Sequence, residues 1–223
     1  MEAANHTLQA VIFDLDGVLM DSEWLGFQAW RELVEAHGGR LQDDDFHRIT
    51  GTSHARTIEI IRHITGLTFT AQETEVWYWE RVDALLRAQA QPLPGAAELV
   101  QALAGQGVPL AIASNAALPY INDALDGLGL AGYFPVRAGI DQVARGKPAP
   151  DVYLEAARRL GADPTRCLAV EDSRVGAQAA AAAGMRLVAI PDRRDPQPEQ
   201  GYEMAWRVFP SLVEAKPALL ALF

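Results

Sequence analysis

The spacing of apolar and polar positions along this chain takes three characters in turn. The first stretch, Val11-Ile12-Phe13, is a short unbroken apolar run leading into Asp14-Leu15-Asp16-Gly17, and it predicts a strand buried on both faces of a parallel sheet. From Glu23 to Gln91 the period becomes helical. Trp24, Phe27, Trp30, Leu33 and Val34 predict one amphipathic helix, ended near Gly38-Gly39. Ile58, Ile61 and Ile64 predict a second between Ser53 and Ile64, and Val76, Trp79, Val82, Leu85 and Leu86 a third between Thr70 and Ala90. The stripe of tryptophans at 24, 30, 77 and 79 is read chiefly as helix-packing core, with a ligand cleft as the alternative. Pro92-Leu93-Pro94-Gly95 then punctuates a return to another pattern.

Beyond Gly95, helices alternate with apolar strands. The helices are 96–105, 119–128, 150–160 and 174–183, and the strands 109–113, 134–137, 167–170 and 186–190. Such alternation predicts right-handed βαβ units and a parallel sheet covered on both faces. The alanine-rich 177–183 segment predicts a helix lying close to the sheet, capped by Gly184. Asp192-Arg193-Arg194-Asp195-Pro196 predicts a polar loop, followed by Val208-Phe209 and a last helix from 212 to 222. The organisation is thus an α/β, doubly wound core (1–20 and 92–223) carrying an inserted helical domain (21–91).

Composition narrows the partners. The chain has 223 residues, 49% hydrophobic and 22% charged, with a formal net charge of −10. An acidic chain is a poor partner for nucleic acid or an anionic membrane, and no apolar run is long enough to span a bilayer. Met1-Glu2-Ala3-Ala4-Asn5-His6 lacks the marks of a signal peptide. The lone cysteine, Cys167, permits no internal disulfide and is read as a small buried hydrophobe; a cytoplasmic location is expected.

In a doubly wound sheet, ligands bind beyond the carboxyl ends of the strands. The first strand delivers Asp14 and Asp16, the second Ser114-Asn115 and the fourth Glu171-Asp172-Ser173, while Gly146-Lys147-Pro148-Ala149-Pro150 precedes a helix. Pro148 is expected to hold Lys147 extended and to suit the first helical position. Each group alone has an ordinary reading: a helix cap, a solvated lysine, acidic residues at a helix start. Their arrival at one end of successive strands is what points to chemistry. Residues i and i+2 of a strand share a face, so Asp14 and Asp16 converge, and a divalent cation with oxygen ligands would relieve their repulsion.

Such a set suits phosphoryl transfer. Asp14 is the expected nucleophile, and Asp16 the general acid and then base. Mg²⁺ would be held by Asp14, the Asp16 main-chain carbonyl and Asp172, with Glu171 as an alternate or supporting ligand. Ser114 and the main-chain N–H groups near Leu15, Asp16 and Asn115 would bind phosphoryl oxygens. Lys147 would neutralise the phosphoryl group and Asp14.

The segments Asp14-Leu15-Asp16-Gly17-Val18-Leu19-Met20-Asp21-Ser22-Glu23, Ser114-Asn115, Gly146-Lys147-Pro148-Ala149-Pro150-Asp151 and Glu171-Asp172-Ser173 with Gly176 and Gly184 resemble, in order, the motifs of the haloacid-dehalogenase-like (HAD) hydrolases. Within them the chain resembles the branch of beta-phosphoglucomutases and small sugar-phosphate phosphatases. The resemblance covers nearly the whole chain. It implies a core sheet ordered 3-2-1-4-5, Mg²⁺, and an α-helical cap that closes over substrate. Asp16 speaks against a true dehalogenase, and the absence of lysine from 23–91 speaks against a phosphonatase. Family mutases carry a histidine where this chain has Gly26, and cations in the cap loop where it has Thr50 and His54. The resemblance therefore implies a phosphatase for a small phosphorylated metabolite, such as a sugar or sugar-acid monophosphate, with a hexose phosphate mutase as runner-up. Gly51 with Arg48, His54 or Arg56 is the expected substrate contact from the cap. A rival of another class is a non-catalytic phosphoaspartate receiver, although receivers carry no helical cap.

Overall fold

Strand β1, Ala10–Phe13, is buried along its whole length, as an apolar run covered on both faces must be. The computed structural model describes residues 8–49, 52–192 and 200–223. The expectations for Met1–His6, Thr50 and Gly51, and for Arg193–Pro196 of the polar loop, lie outside them.

The described chain falls into two compact units. One joins the chain up to Met20 with the chain from Gln91 onward; the other is Asp21–Ala90. In the first, β1 pairs in parallel with β2 (Leu110–Ala113) on one side and β4 (Cys167–Glu171) on the other. Strand β3 (Val136–Ala138) flanks β2, and β5 (Arg186–Ala189) flanks β4. A sixth strand, β6 (Arg207–Val208), pairs in parallel with β5 and completes the order β3-β2-β1-β4-β5-β6. The expected order of five strands is therefore present, with an edge strand added. Only two residues long and exposed on both, β6 has no apolar run to announce it. Its place is fixed by main-chain bonds from Trp206 N to Leu187 O and from Phe209 N to Ala189 O.

Helices α5 (Ala96–Gly105), α6 (Leu118–Gly127), α7 (Asp151–Leu160), α8 (Arg174–Ala182) and α9 (Leu212–Leu220) belong to this unit. The small faces of α8 (Ala177, Ala179, Ala180) and α7 (Val152, Ala156, Ala157) share one buried cluster with β1, β2 and β4. The expectation that Pro148 opens a helix is corrected. The Lys147–Pro148 peptide is cis, Gly146–Ala149 forms a turn, and α7 begins three residues later with Pro150 at its cap. The insertion leaves and rejoins this unit at one place, because Met20 pairs with Pro92 and Leu93 N donates to Leu19 O.

The second unit is helical: α1 (Ser22–Ala36), α2 (Phe46–Ile49), α3 (His54–Thr65) and α4 (Ala71–Gln89). Its ends carry ordinary caps. Asp21 and Ser53 cap α1 and α3, Thr70 and Glu73 form a capping box on α4, and Gly66 closes α3 in the left-handed region. Phe27, Trp30, Leu33, Val34, Phe46, Ile58 and Ile61 form its core, with Trp24 and Trp77 packed against it. Trp79 and Val76 are corrected: both are exposed. The buried stripe of α4 runs through Thr74, Tyr78, Val82 and Leu85, and at 3.6 residues per turn position 79 falls to its side and position 76 opposite it.

Candidate active site

The register of β1 against β4 aligns Phe13 with Val170, so the next residues, Asp14 and Glu171, emerge side by side. Strand β2, on the other flank, is followed directly by Ser114. The strand ends thus deliver their polar residues to one place, and Lys147 reaches in from the segment before α7. Its Nζ lies 2.7 Å from Asp14 Oδ1 and 2.5 Å from Glu171 Oε1, and all three side chains are buried.

Asp14, Glu171 and Asp172 each offer a carboxylate oxygen, and these oxygens all lie within 4.8 Å of one another. Three carboxylates sharing one ammonium leave an excess of negative charge. Burial, then the neighbouring Glu171, pushes Asp14 up to about 7 despite the pull of Lys147. Burial and Asp14 likewise hold Asp172 well above the usual carboxylate range. Burial opposes the charge on Lys147, but Asp14 and Glu171 outweigh it and raise its pKa above that of a free lysine. A divalent cation with oxygen ligands fits this donor set and this charge. The backbone has also made room for the Asp172 carboxylate. Gly17 has φ +76°, and a Cβ there would lie 1.9 Å from Asp172 Oδ2, so the Asp172 carboxylate occupies the space a side chain would fill.

Glu171 is bonded through both oxygens. Oε1 accepts from Lys147 Nζ and from Tyr153 Oη at 2.9 Å. Oε2 accepts from the N–H groups of Asp172 and Ser173 and from Ser173 Oγ, at 3.1–3.2 Å. A Cβ on Gly176 would lie 1.7 Å from Oε1, so this glycine leaves Glu171 its place beside α8. Glu171 thus has the bonding of a residue that orients its neighbours more than of one awaiting a ligand.

The remaining expected site residues are placed as follows. Asp16 is half-buried, and its Oδ1 accepts from Tyr120 Oη at 3.0 Å. Its charge adds to the burial and the Glu171 charge that raise Asp14. Leu15 and Ser114 are buried, and Ser114 Oγ accepts from Ala116 N at 3.0 Å. The Asn115 side chain is occupied with Lys147: its Oδ1 accepts from Lys147 N at 2.8 Å and its Nδ2 donates to Lys147 O at 3.3 Å. It brackets the peptide that presents the lysine.

Arg48, His54 and Arg56 lie in the helical unit, and there they meet partners of that unit. Arg48 reaches Asp45 at 3.3 Å and Arg56 reaches Glu59 at 2.7 Å. His54 Nε2 bonds Thr74 Oγ1 at 2.9 Å, and its ring packs on Trp30 and Tyr78; burial lowers its pKa.

Sequence reasoning missed Tyr153, Tyr120 and the side-chain role of Asn115. Tyr153 had a signal: a tyrosine on the apolar face of a helix must find a partner for its hydroxyl. Tyr120 had none, because its partner lies 104 residues away.

The model of the haloacid dehalogenase-like hydrolase family matches residues 8–184, more than half of the chain. This chain is a haloacid dehalogenase-like hydrolase. Among its relatives in this family is a phosphorylated carbohydrates phosphatase of Thermotoga maritima, 31% identical over 81% of this chain and 84% of that protein. The fructose-1-phosphate phosphatase YqaB of Escherichia coli is 31% identical over 81% of this chain and 95% of its own length. A crystal structure from Thermotoga maritima, provisionally assigned as a beta-phosphoglucomutase, superposes with a TM-score of 0.83 at 28% identity, covering 97% of this chain and all of that one. The chain is thus an enzyme of the HAD-like phosphatase group, in the branch that also holds the beta-phosphoglucomutases, and this sets aside the non-catalytic receiver reading. No helix among the described residues is long and apolar enough to cross a membrane.

Proposed function

We propose that this chain is a Mg²⁺-dependent phosphatase that hydrolyses a small phosphorylated carbohydrate through an aspartyl-phosphate on Asp14. The observation that carries the reading is the buried Asp14 carboxylate, 2.7 Å from the Lys147 ammonium and gathered with Glu171 and Asp172 at the strand ends.

In the first step an Asp14 oxygen attacks phosphorus, the bond from phosphorus to the ester oxygen breaks, and Asp16 gives its proton to the leaving alcohol. In the second step Asp16 takes a proton from water, the water oxygen attacks phosphorus, and the bond to Asp14 breaks to release orthophosphate. Lys147 holds Asp14 in place and offsets charge on the phosphoryl oxygens. Glu171, braced by Tyr153 and Ser173, and Asn115, through the Lys147 peptide, keep that ammonium aimed at Asp14. Asp14, Asp172 and the Asp16 main-chain carbonyl are the residues that would hold Mg²⁺, which supplies charge neutralisation between two anions when bound.

The phosphatase reading is favoured over a mutase by the helical unit. A mutase must grip a second phosphate, yet Arg48 and Arg56 each meet a carboxylate three residues away along the chain. Gly26, where family mutases carry histidine, would place a Cβ 2.6 Å from the Tyr78 hydroxyl. The choice of a carbohydrate phosphate rests on the two named phosphatases among the relatives. Phosphate release from a panel of sugar, sugar-acid and short-chain phosphates, with and without Mg²⁺, tests the reading. Metal-dependent release is expected. Interconversion of hexose phosphates on addition of a sugar bisphosphate, with no net phosphate release, would replace it with the mutase.

A further inference from the structure

Asp16 sits just beyond β1 in a tight turn. Gly17 N donates to Met20 O at 2.8 Å and Leu19 N to Leu15 O at 2.9 Å, so the Asp16 backbone is fixed. Its side chain still has to be aimed. A group that meets it comes from the first turn of α6, where Tyr120 Oη donates to Asp16 Oδ1 at 3.0 Å. That turn is itself anchored. Leu118 N donates to Asp141 Oδ1 at 2.9 Å, Ile140 N donates to Ala116 O at 3.0 Å, and Ile121 is buried. Gly139 lies so close that a Cβ would come within 2.7 Å of Ala116 O. The phenol is therefore presented from a rigid element.

From this geometry we infer that Tyr120 is a positioning residue: its hydroxyl sets the orientation in which Asp16 delivers its proton to the leaving oxygen. The inference rests on the reading of Asp16 as the general acid. A proton donor acts only within hydrogen-bond reach of the atom it serves, and small errors of placement are costly. A rotating Asp16 carboxyl would spend much of its time misdirected. A phenol bonded to one oxygen selects one orientation and leaves the chemistry to Asp16.

The effect must grow with how badly the leaving group needs a proton. The test compares kcat/KM for 4-nitrophenyl phosphate, whose anion departs readily, and phenyl phosphate, whose phenolate resembles tyrosine's with a pKa of about 10. In Tyr120→Phe, phenyl phosphate is expected to lose about tenfold, within the roughly 10²–10⁴-fold reach of general acid catalysis. On the same scale 4-nitrophenyl phosphate is expected to lose less than about threefold. In an Asp16→Asn background the Tyr120→Phe change is expected to add nothing. Equal losses on the two esters would assign Tyr120 a purely structural role and overturn the inference, as would unchanged kinetics or a further loss in the Asp16→Asn background. Failure of the unsubstituted enzyme to hydrolyse either ester with Mg²⁺ would instead contradict the phosphatase reading, and this inference with it.

Discussion

The charged residues expected at the site are held in opposite ways in the two units of this chain. In the α/β unit, Lys147 meets Asp14 across 133 residues of sequence and Glu171 across 24, and all three side chains are withdrawn from solvent. In the helical unit, Arg48 meets Asp45 and Arg56 meets Glu59, each three residues away. The Arg56 and Glu59 side chains stay 63% and 57% exposed. Exposed neighbours of this kind contribute little. Buried ones cost desolvation energy and persist only where geometry repays it. The strand ends have fixed a constellation, whereas the Arg56–Glu59 pair is decoration on a surface. Chemistry therefore belongs to the α/β unit.

The largest effect expected from this contrast is on turnover. Asp14→Asn replaces the carboxylate with a poor nucleophile, and phosphate release should fall by more than about 10⁴-fold. Substantial turnover in a purified variant would break the assignment.

The next effect is on stability. Lys147→Met leaves Asp14 and Glu171 buried without their shared cation and should cost about 3–5 kcal/mol. Urea unfolding reads this as a lower midpoint at unchanged slope.

A smaller effect couples pH to metal. The folded pKa of Asp14 is raised to about 7 from its ordinary value. Its contribution to stability is full below the unfolded pKa of about 4 and is lost as pH rises through 7. The metal-free protein should therefore lose stability across that window. A cation binding N but not U, at a hundred times its Kd, restores about 2.7 kcal/mol. It prefers the ionised carboxylate, so the Mg²⁺-induced rise in Tm should be larger at pH 8 than at pH 5. A rise independent of pH would separate the metal from the carboxylates.

The smallest effect completes the contrast. Arg56→Ala should change stability by no more than about 0.5 kcal/mol, and a loss comparable to that of Lys147→Met would erase the distinction between the two regions.

Much of this was legible in the sequence because buried parallel strands leave short apolar runs with polar residues at their ends. Ala10–Phe13, Leu110–Ala113 and Cys167–Glu171 are runs of that kind. They point to Asp14, Ser114 and Glu171-Asp172 from the sequence alone. Periodicity alone was less secure. In α4 it drew Trp79 and Val76 into a stripe that passes beside them, because a helix rich in apolar residues offers more than one register. Strand β6 is hidden by its length, whereas the start of α7 is legible to within one residue even though Pro148 stands in a turn before it. The bonds from Tyr153 to Glu171 and from Tyr120 to Asp16 join elements whose adjacency arises only on folding. No local pattern encodes them.

The most direct test of the central claim is to trap the phosphoryl group. Asp16→Asn keeps the Asp14 carboxylate but lacks the base that activates water, so the adduct should outlive its formation. Mass spectrometry of that variant, quenched in acid after mixing with 4-nitrophenyl phosphate and Mg²⁺, should find one phosphoryl group on the peptide containing Asp14. The same experiment on an Asp14→Asn variant should find none. A phosphoryl group on another residue, or turnover by the unsubstituted enzyme with no adduct in the Asp16→Asn variant, would contradict the account.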